Sequence, residues 1–317
     1  MSGKKVIAVL GATGAQGGGL VRSILNDKSG EFTARALTRD VNSDKAKALA
    51  ALGAEVAAVD IDNEESLRKA FNGAYGVYAV TFFWDHFSPE KEMAQAQSIA
   101  KAAKDAGVKH IIWSTLEDTR KFIPLTDNRM PTLGNGKYKV PHYDGKGESN
   151  KFFTELNLPV TFLLTSFYWE NFIYFGMQPK KGPDGKLMLT IPMGDKKLPG
   201  IAVEDIGKSA YNIFKKGSEF IGKTVGISGG HLTGKQLAES FTKTLGQEVV
   251  YNSVPFDVYR SFGFPGADDV GNMFQFKHDF EAAYCGARSL DFSKAINPEL
   301  KNFDQWLSEN KSKIPID

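Results

Sequence analysis

Three glycines spaced three residues apart follow the first apolar run of the chain. Residues 6–10 are apolar and lead directly into Gly11-Ala-Thr-Gly14-Ala-Gln-Gly17. A strand, a glycine loop and a helix in this order form the unit that binds the pyrophosphate of a dinucleotide, because the glycines let the phosphate approach and the helix amides attract its charge. The candidate pyrophosphate-binding residues are Gly11, Ala12, Thr13, Gly14, Ala15, Gln16 and Gly17.

The second predicted strand, residues 32–37, ends next to an arginine. The residues Thr38, Arg39 and Asp40 stand where a nicotinamide coenzyme would place its adenosine ribose. NAD sites usually carry a carboxylate here for the 2′-hydroxyl, whereas the guanidinium fork of arginine suits a 2′-phosphate. Arg39 therefore favours NADP(H), and Asp40 beside it keeps NAD(H) open as the less favoured coenzyme.

Two later strand ends supply further candidate cofactor-binding residues. Asp60 and Ile61 close the third predicted strand, where an adenine ring would lie, although Asp60 could equally cap the following helix. Thr81, Phe82 and Phe83 end the fourth predicted strand, residues 76–83, beside the expected cofactor groove. An aromatic run of this kind is also typical of a hydrophobic core, so both roles stay open for the two phenylalanines.

The candidate catalytic residues lie on a predicted helix that follows the fifth strand. A short-chain reductase uses a tyrosine as the acid and a lysine four residues later on the same helical face. Lys146 fits the lysine, but His142 stands four residues before it and Tyr143 only three. The tyrosine–lysine pair is therefore not in its working register.

Three interpretations of this register stay open. His142 can replace the phenol as the acid, since the usual pKa of histidine allows that role. Tyr143 or Tyr138 can instead reach the substrate. The third interpretation, which we favour, is that no acid is present and that Lys146 only holds the cofactor.

The elements that would position these residues alternate between strand and helix through the first half of the chain. Short, continuously apolar strands between helices are typical of a parallel sheet covered on both faces. We expect an α/β fold, a doubly wound, Rossmann-like parallel sheet with a smaller, mostly helical C-terminal domain. The first domain takes residues 1–165 with a return segment at about 201–230, and the second takes residues 166–200 and 231–317.

Composition excludes several classes of protein. The chain has 317 residues, of which 42% are hydrophobic and 24% charged, with a formal net charge of +2, which is typical of a globular protein and argues against nucleic-acid binding. The histidines and the single cysteine, Cys285, are too scattered for a metal site. One cysteine and no long apolar stretch predict a cytoplasmic protein without membrane contact.

Several sequence blocks, in order along the chain, resemble the NmrA-like family of atypical short-chain dehydrogenase/reductases, and most closely its NADPH-sensor (HSCARG-type) branch. The blocks are Gly11-Ala-Thr-Gly-Ala-Gln-Gly-Gly18, Thr38-Arg39, Asn72-Gly-Ala-Tyr75, His142-Tyr-Asp-Gly-Lys-Gly-Glu148, Tyr168-Trp-Glu-Asn171, Gly263-Phe-Pro-Gly-Ala267, Asn272-Met-Phe274 and Asp304-Gln-Trp-Leu307. The resemblance implies that the C-terminal domain closes a cleft over the cofactor. It also implies that Lys146 borders the nicotinamide end together with Tyr168, Trp169, Glu170 and Asn171.

The resemblance implies two alternative functions. The first is a redox sensor that responds to the NADPH/NADP ratio and regulates a partner protein, with homodimer formation left open. The second is an NADPH-dependent oxidoreductase for a small carbonyl, quinone or aromatic substrate. The irregular segment 117–141 is longer than in the animal sensors and could form a substrate lid, which supports the second function.

Overall fold

The chain forms two compact units, each assembled from separate chain segments. The structure is a computed structural model that describes residues 3–182 and 184–316. The first unit comprises Met1–Glu117, Gly145–Leu164 and Val203–Val225, and the second comprises Asp118–Asp144, Thr165–Ala202 and Gly226–Asp317. The sequence-based division kept residues 118–144 in the first domain, and the structure places them in the second unit.

The strands of the described chain are short. They are β1 (Lys5–Val9), β2 (Phe32–Thr38), β3 (Glu55–Ala58), β4 (Gly76–Ala79), β5 (His110–Thr115), β6 (Val160–Leu164), β7 (Phe167–Tyr168), β8 (Lys180–Lys181), β9 (Leu187–Thr190), β10 (Lys197–Ile201), β11 (Thr224–Gly226), β12 (Gly230–Thr233) and β13 (Val249–Asn252).

The helices alternate with these strands and then dominate the C-terminal part. They are α1 (Ala15–Asn26), α2 (Asp44–Ala51), α3 (Glu64–Phe71), α4 (Pro89–Asp105), α5 (Pro141–Glu155), α6 (Asn171–Tyr174), α7 (Val203–Lys215), α8 (Gly234–Leu245), α9 (Phe256–Arg260), α10 (Ala267–Asp279), α11 (Glu281–Gly286), α12 (Leu290–Ile296) and α13 (Phe303–Asn310). Short 3₁₀ helices occur at Phe83–Asp85, Thr119–Lys121, Gly217–Phe220 and Lys311–Lys313.

A seven-stranded sheet forms the centre of the first unit. Its strand order is β11-β6-β5-β4-β1-β2-β3, and the neighbouring pairs from β6 to β3 are parallel. The chain moves outward from β1 through β2 to β3 and then returns to the other side of β1 as β4. Ligands of doubly wound sheets bind at this switch point, at the carboxyl ends of the strands. The predicted doubly wound α/β fold is confirmed.

The fourth strand is shorter than the sequence predicts. It ends at Ala79 instead of continuing to Phe83, and Phe83–Asp85 forms a 3₁₀ helix. Ser88 caps α4 by accepting a hydrogen bond from the Lys91 amide. The chain turns back between the end of β4 and the start of α4. The aromatic residues of this turn therefore do not continue the strand.

The second unit contains two small sheets and the remaining helices. Its sheets have the strand orders β12-β10-β7 and β13-β9-β8, and β8 pairs antiparallel with β9. Five aromatic rings in mutual contact form much of the core of this unit: Trp169, Phe172, Phe241, Phe303 and Trp306. Helices α8 to α13 make up most of the chain after residue 233, so the predicted mostly helical C-terminal region is confirmed. No helix in the described part of the chain is both long and apolar enough to cross a membrane.

A buried carboxylate fixes the irregular segment 118–144 inside the second unit. Asp144 is fully buried and accepts four hydrogen bonds, from the Thr119 amide and hydroxyl at 2.8 and 2.6 Å and from the amides of Lys139 and Val140 at 2.8 and 3.1 Å. Burial raises the pKa of Asp144, and the four hydrogen bonds oppose that rise. Side-chain bonds of this kind leave no periodic pattern, which explains why the sequence indicated only a loop.

Helices α1 and α7 approach closely in the first unit because each carries a glycine at the contact. A Cβ atom on Gly207 would lie 2.2 Å from both the Gly19 carbonyl carbon and the Leu20 nitrogen. Arg22 and Glu204 form an ion pair across the same contact, with Arg22 Nε donating to Glu204 Oε1 at 3.0 Å. The position of α1, and of the glycine loop at its start, therefore depends on this contact.

We predict that Gly207→Ala destabilises the protein by about 1–3 kcal/mol, because the new methyl group meets backbone atoms that cannot move aside. Alanine otherwise favours a helix over glycine by about 1 kcal/mol. Gly286→Ala is the matched control, because a Cβ there meets nothing within 4 Å. Thermal unfolding checks both variants, and equal melting temperatures for the two would contradict the predicted close contact.

Candidate functional site

The glycine loop makes a tight turn that only glycine accommodates at two positions. Gly11 has a φ of 62°, and the Gly14 amide donates to the Gly11 carbonyl at 2.9 Å. A Cβ on Gly17 would lie 2.4 Å from the Gly11 oxygen. The loop therefore folds back under the first turn of α1, which brings the start of that helix against the end of β1.

The start of α1 presents backbone amides that no capping side chain covers. Its N-cap residue is Gly14, no side chain caps the helix, and the first turn contains no acidic residue. The first amides of a helix have no partner within the helix, and the helix dipole is positive at this end. The hydroxyl oxygens of Thr13 and Thr38 lie 3.4 Å apart and connect the loop to the end of β2. This arrangement fits an anion such as a pyrophosphate.

Arg39 follows β2 and forms an ion pair on the surface of the first unit. Its Nη1 atom donates to Asp85 Oδ2 at 2.8 Å, and its side chain remains 78% exposed. Asp40, which could have served an NAD(H) site, accepts a hydrogen bond from the Asn42 amide at 2.8 Å within its own turn. The carboxylate that contacts Arg39 therefore comes from Asp85, in the segment after β4.

Lys146 lies on α5, and its ammonium group reaches Thr81 just beyond the end of β4. All three of its N–H groups have protein acceptors. Its Nζ atom donates to the Thr81 carbonyl at 3.1 Å and to the Thr81 hydroxyl at 2.7 Å, and it forms an ion pair with Glu92. Only 12% of the side chain is exposed. Lys146 can hold another ligand only by exchanging one of these three contacts, because an ammonium group has three donors.

Glu92 is a fully buried carboxylate between two basic side chains. Its Oε1 atom accepts a hydrogen bond from the Thr81 hydroxyl at 2.5 Å and forms the ion pair with Lys146. Its Oε2 atom lies 3.7 Å from His86 Nε2. His86 Nδ1 accepts a hydrogen bond from the Ser88 amide at 3.1 Å, so the neutral imidazole carries its proton on Nε2, facing Glu92. Neither Oε2 nor Nε2 has a hydrogen-bond partner within the described residues.

Sequence reasoning identified Thr81 and Lys146 but missed Asp85, His86 and Glu92. A signal for Glu92 was available in the sequence. Glu92 shares one face of α4 with Gln95, Ala96 and Ile99, all of them buried, so a charged residue stands in a core-facing row. A buried charge needs a partner of opposite charge, and Lys146 on α5 was a candidate for that partner.

Other predicted cofactor-binding residues have different environments in the first unit. Asn63, not Asp60, caps α3, and Asp60 accepts a hydrogen bond from the Asp62 amide at 3.0 Å. Asp60 is exposed and Ile61 packs against the core, so their contact with an adenine ring stays a prediction. Phe82 is 51% exposed, whereas Phe83 is buried.

The residues considered as acids have their partners in the second unit. His142 Nδ1 lies 2.7 Å from Asp269 Oδ1, and the His142 amide donates to the other oxygen of that carboxylate at 3.1 Å. The hydroxyl groups of Tyr143 and Tyr284 lie 3.0 Å apart, and both side chains are buried. These contacts fix both residues, and their catalytic roles stay predictions.

The segment expected at the nicotinamide end, residues 168–171, is tied into the core of the second unit. Trp169 is 2% exposed and packs against Phe303 and Trp306. Glu170 accepts a hydrogen bond from the indole nitrogen of Trp306 at 2.9 Å, and Asn171 begins α6 just after Tyr168 closes β7. In the described residues no group of three or more His, Cys, Asp or Glu side chains could hold a metal ion.

The chain belongs to the NmrA-like family, whose sequence profile matches residues 3–307. A relative from Cladobotryum sp, named an NmrA-like family domain-containing oxidoreductase, is 30% identical over 296 residues, covering 86% of this chain and 83% of the relative.

Two solved structures have the same fold as this chain. NmrA, described as a negative transcriptional regulator, has been crystallised with NADP and with NAD. In the NADP complex it has a TM-score of 0.78 and 23% identity to this chain, covering 96% of this chain and 95% of NmrA. The triphenylmethane reductase of Citrobacter sp. complexed with NADP(H) has a TM-score of 0.73 and 22% identity, covering 96% of this chain and 99% of the reductase.

We predict that Glu92→Ala costs about 3 kcal/mol of stability, because it leaves the Lys146 ammonium poorly solvated and without its counter-ion. In a Lys146→Met background the same substitution should cost at least about 1 kcal/mol less. Denaturant unfolding of the two single variants and the double variant measures this coupling. Glu90→Ala, at an exposed position of the same helix, is the control and should cost less than about 1 kcal/mol. Strictly additive effects at positions 92 and 146 would contradict the buried pair.

Proposed function

We propose that the first unit binds NADP(H) at the carboxyl ends of β1, β2 and β4. One observation carries this proposal, namely that the uncapped start of α1 and the exposed guanidinium of Arg39 follow two adjacent parallel strands. The amides neutralise a pyrophosphate, and Arg39 pairs with a 2′-phosphate through a charge-assisted hydrogen bond. The complexes of NmrA with NADP and of the Citrobacter reductase with NADP(H) support the same coenzyme class.

The bound coenzyme supplies a hydride donor or acceptor, and this chain's residues orient it. Lys146 would hold the hydroxyl groups of the nicotinamide ribose by exchanging one of its N–H contacts with Thr81 or Glu92. Thr81 then retains its hydrogen bond to Glu92, so the buried carboxylate keeps at least one donor. The pair Thr81–Glu92 therefore fixes where the ammonium group can move.

We favour a redox sensor that distinguishes NADPH from NADP and regulates a partner protein in the cytoplasm. The position four residues before Lys146 is His142, whose imidazole is hydrogen-bonded to Asp269, and the Lys146 ammonium is already occupied by protein acceptors. The chain therefore lacks the tyrosine–lysine pair with which a short-chain reductase transfers its proton, and this absence is the reason for favouring the sensor. Partial burial raises the pKa of the Cys285 thiol to about 11, which lowers its thiolate fraction at neutral pH and argues against cysteine redox chemistry as the sensing step.

The second candidate is an NADPH-dependent oxidoreductase for a small carbonyl, quinone or aromatic compound. Two observations favour it: the Cladobotryum relative is named an oxidoreductase, and Phe82, next to Thr81, is half exposed. An exposed ring beside the coenzyme site can stack on a flat aromatic substrate.

We predict that the wild-type protein binds NADPH more tightly than NADH and that Arg39→Ala removes this preference. Loss of a charge-assisted contact to the 2′-phosphate should weaken NADPH binding about 10- to 100-fold, with NADH changed less than about twofold. Calorimetric titration measures both affinities. Arg68→Ala, which removes a partly exposed arginine of α3, is the control. Equal affinity of the wild-type protein for NADPH and NADH would contradict the assignment of Arg39.

Turnover separates the two candidate functions. The sensor should oxidise NADPH far more slowly than about 1 s⁻¹, the lower end of typical enzyme rates, with every member of a panel of carbonyl, quinone and triphenylmethane compounds. Absorbance at the NADPH band records the rate. Turnover above this value that Lys146→Met abolishes, while NADPH still binds, would establish the oxidoreductase and overturn the sensor.

A further inference from the structure

The acidic partner of Arg39 comes from a segment whose position is well fixed. Asp85 is the last residue of the 3₁₀ helix Phe83–Asp85, and its amide donates to the Phe82 carbonyl at 3.2 Å. Phe83 anchors this helix in the core, with the ring of Trp84 packed edge-on at 5.3 Å. The Asp85 carboxylate is therefore held where the guanidinium of Arg39 meets it at 2.8 Å.

From this geometry we propose that Asp85 tunes coenzyme specificity by competing with the 2′-phosphate for Arg39. The inference rests on the proposed binding of NADP(H). Asp85 occupies only the Nη1 atom of Arg39, but a carboxylate and a phosphate dianion on one guanidinium repel each other, so the phosphate binds less tightly while Asp85 stays on Arg39. NADH carries a hydroxyl group at this position and leaves the ion pair in place. Asp85 thus lowers the preference for NADPH that Arg39 alone would give.

The neighbouring carboxylate does not provide the same competition. Asp40 accepts the Asn42 amide at 2.8 Å, and its backbone carbonyl receives the Ser43 hydroxyl at 3.0 Å, so Asp40 stabilises the turn that leads into α2. Asp85, in contrast, is 41% exposed and uses its Oδ2 atom on Arg39. The same connection also supplies Glu92 to Lys146. Both cations proposed to meet the coenzyme are therefore paired with carboxylates that follow β4.

The competition should be modest in size. An exposed arginine–carboxylate pair contributes at most about 1 kcal/mol, which corresponds to a change of about fivefold in a binding constant. Screening by salt should reduce the effect further, because both side chains are solvent-exposed. Asp85 therefore tunes the ratio of the two affinities and does not prevent NADPH binding.

Calorimetric titration of Asp85→Asn with NADPH and NADH tests this inference. The amide keeps the size of the side chain and removes its charge. We expect the dissociation constant for NADPH to fall two- to fivefold and the constant for NADH to change less than 1.5-fold, as order-of-magnitude estimates from the strength of exposed ion pairs. In an Arg39→Ala background, Asp85→Asn should tighten NADPH binding clearly less than in the wild-type background and leave NADH binding unchanged, since there is no guanidinium left to release.

Glu55→Gln is the matched control. Glu55 accepts a hydrogen bond from Arg35 Nε at 2.8 Å in another arginine–carboxylate pair of the first unit, in which the carboxylate is exposed and the arginine is mostly buried. Removal of the Glu55 charge should leave both affinities unchanged. A general charge effect on the anionic coenzymes would tighten NADH binding as well and would persist undiminished in the Arg39→Ala background, and either result overturns the inference. Weaker NADPH binding in Asp85→Asn also overturns it.

If the wild-type protein binds neither coenzyme, the proposed function fails, whereas wild-type binding with no change in Asp85→Asn rejects the role of Asp85 alone.

Discussion

The close backbone contact between Gly17 and Gly11 is the constraint on which the proposed coenzyme site depends. Because a Cβ atom at Gly17 would lie 2.4 Å from the Gly11 oxygen, only a glycine lets α1 start directly over the end of β1. With Gly14 as the N-cap, no side chain covers the first amides of the helix. The contact between α1 and α7 through Gly19 and Gly207 then holds the helix against the rest of the first unit.

The charges around this site are balanced within the protein. Arg39 is paired with Asp85, and Lys146 is paired with Glu92, so in the proposed site each cation would divide its contacts between a protein carboxylate and a coenzyme group. The two pairs differ in the free energy needed to break them. Breaking the exposed Arg39–Asp85 pair costs little, whereas moving Lys146 away completely leaves the buried Glu92 carboxylate without its counter-ion. In the proposed site, binding at the 2′-phosphate end would therefore be adjustable, whereas Lys146 could make only small movements.

The sequence predicted those features that depend on local pattern. The alternation of strands and helices, the glycine spacing and the position of Arg39 all follow from short stretches of residues, and the doubly wound sheet is confirmed. The 3₁₀ turn at Phe83–Asp85 and the pairs formed by Asp85 and Glu92 could not be predicted in the same way, because they depend on which residues the sheet brings together from separate segments. The segment around Asp144 was missed for a related reason, since a single buried carboxylate replaces regular backbone pairing.

Amide hydrogen exchange measured with and without NADPH tests most directly whether the start of α1 holds the coenzyme pyrophosphate. The account predicts that peptides covering residues 11–18 become protected in a saturable manner as NADPH is added, since their amides then donate to phosphate oxygens. Peptides from β8 and β9 in the second unit serve as the internal comparison. Unchanged exchange in residues 11–18 at millimolar NADPH would contradict the account.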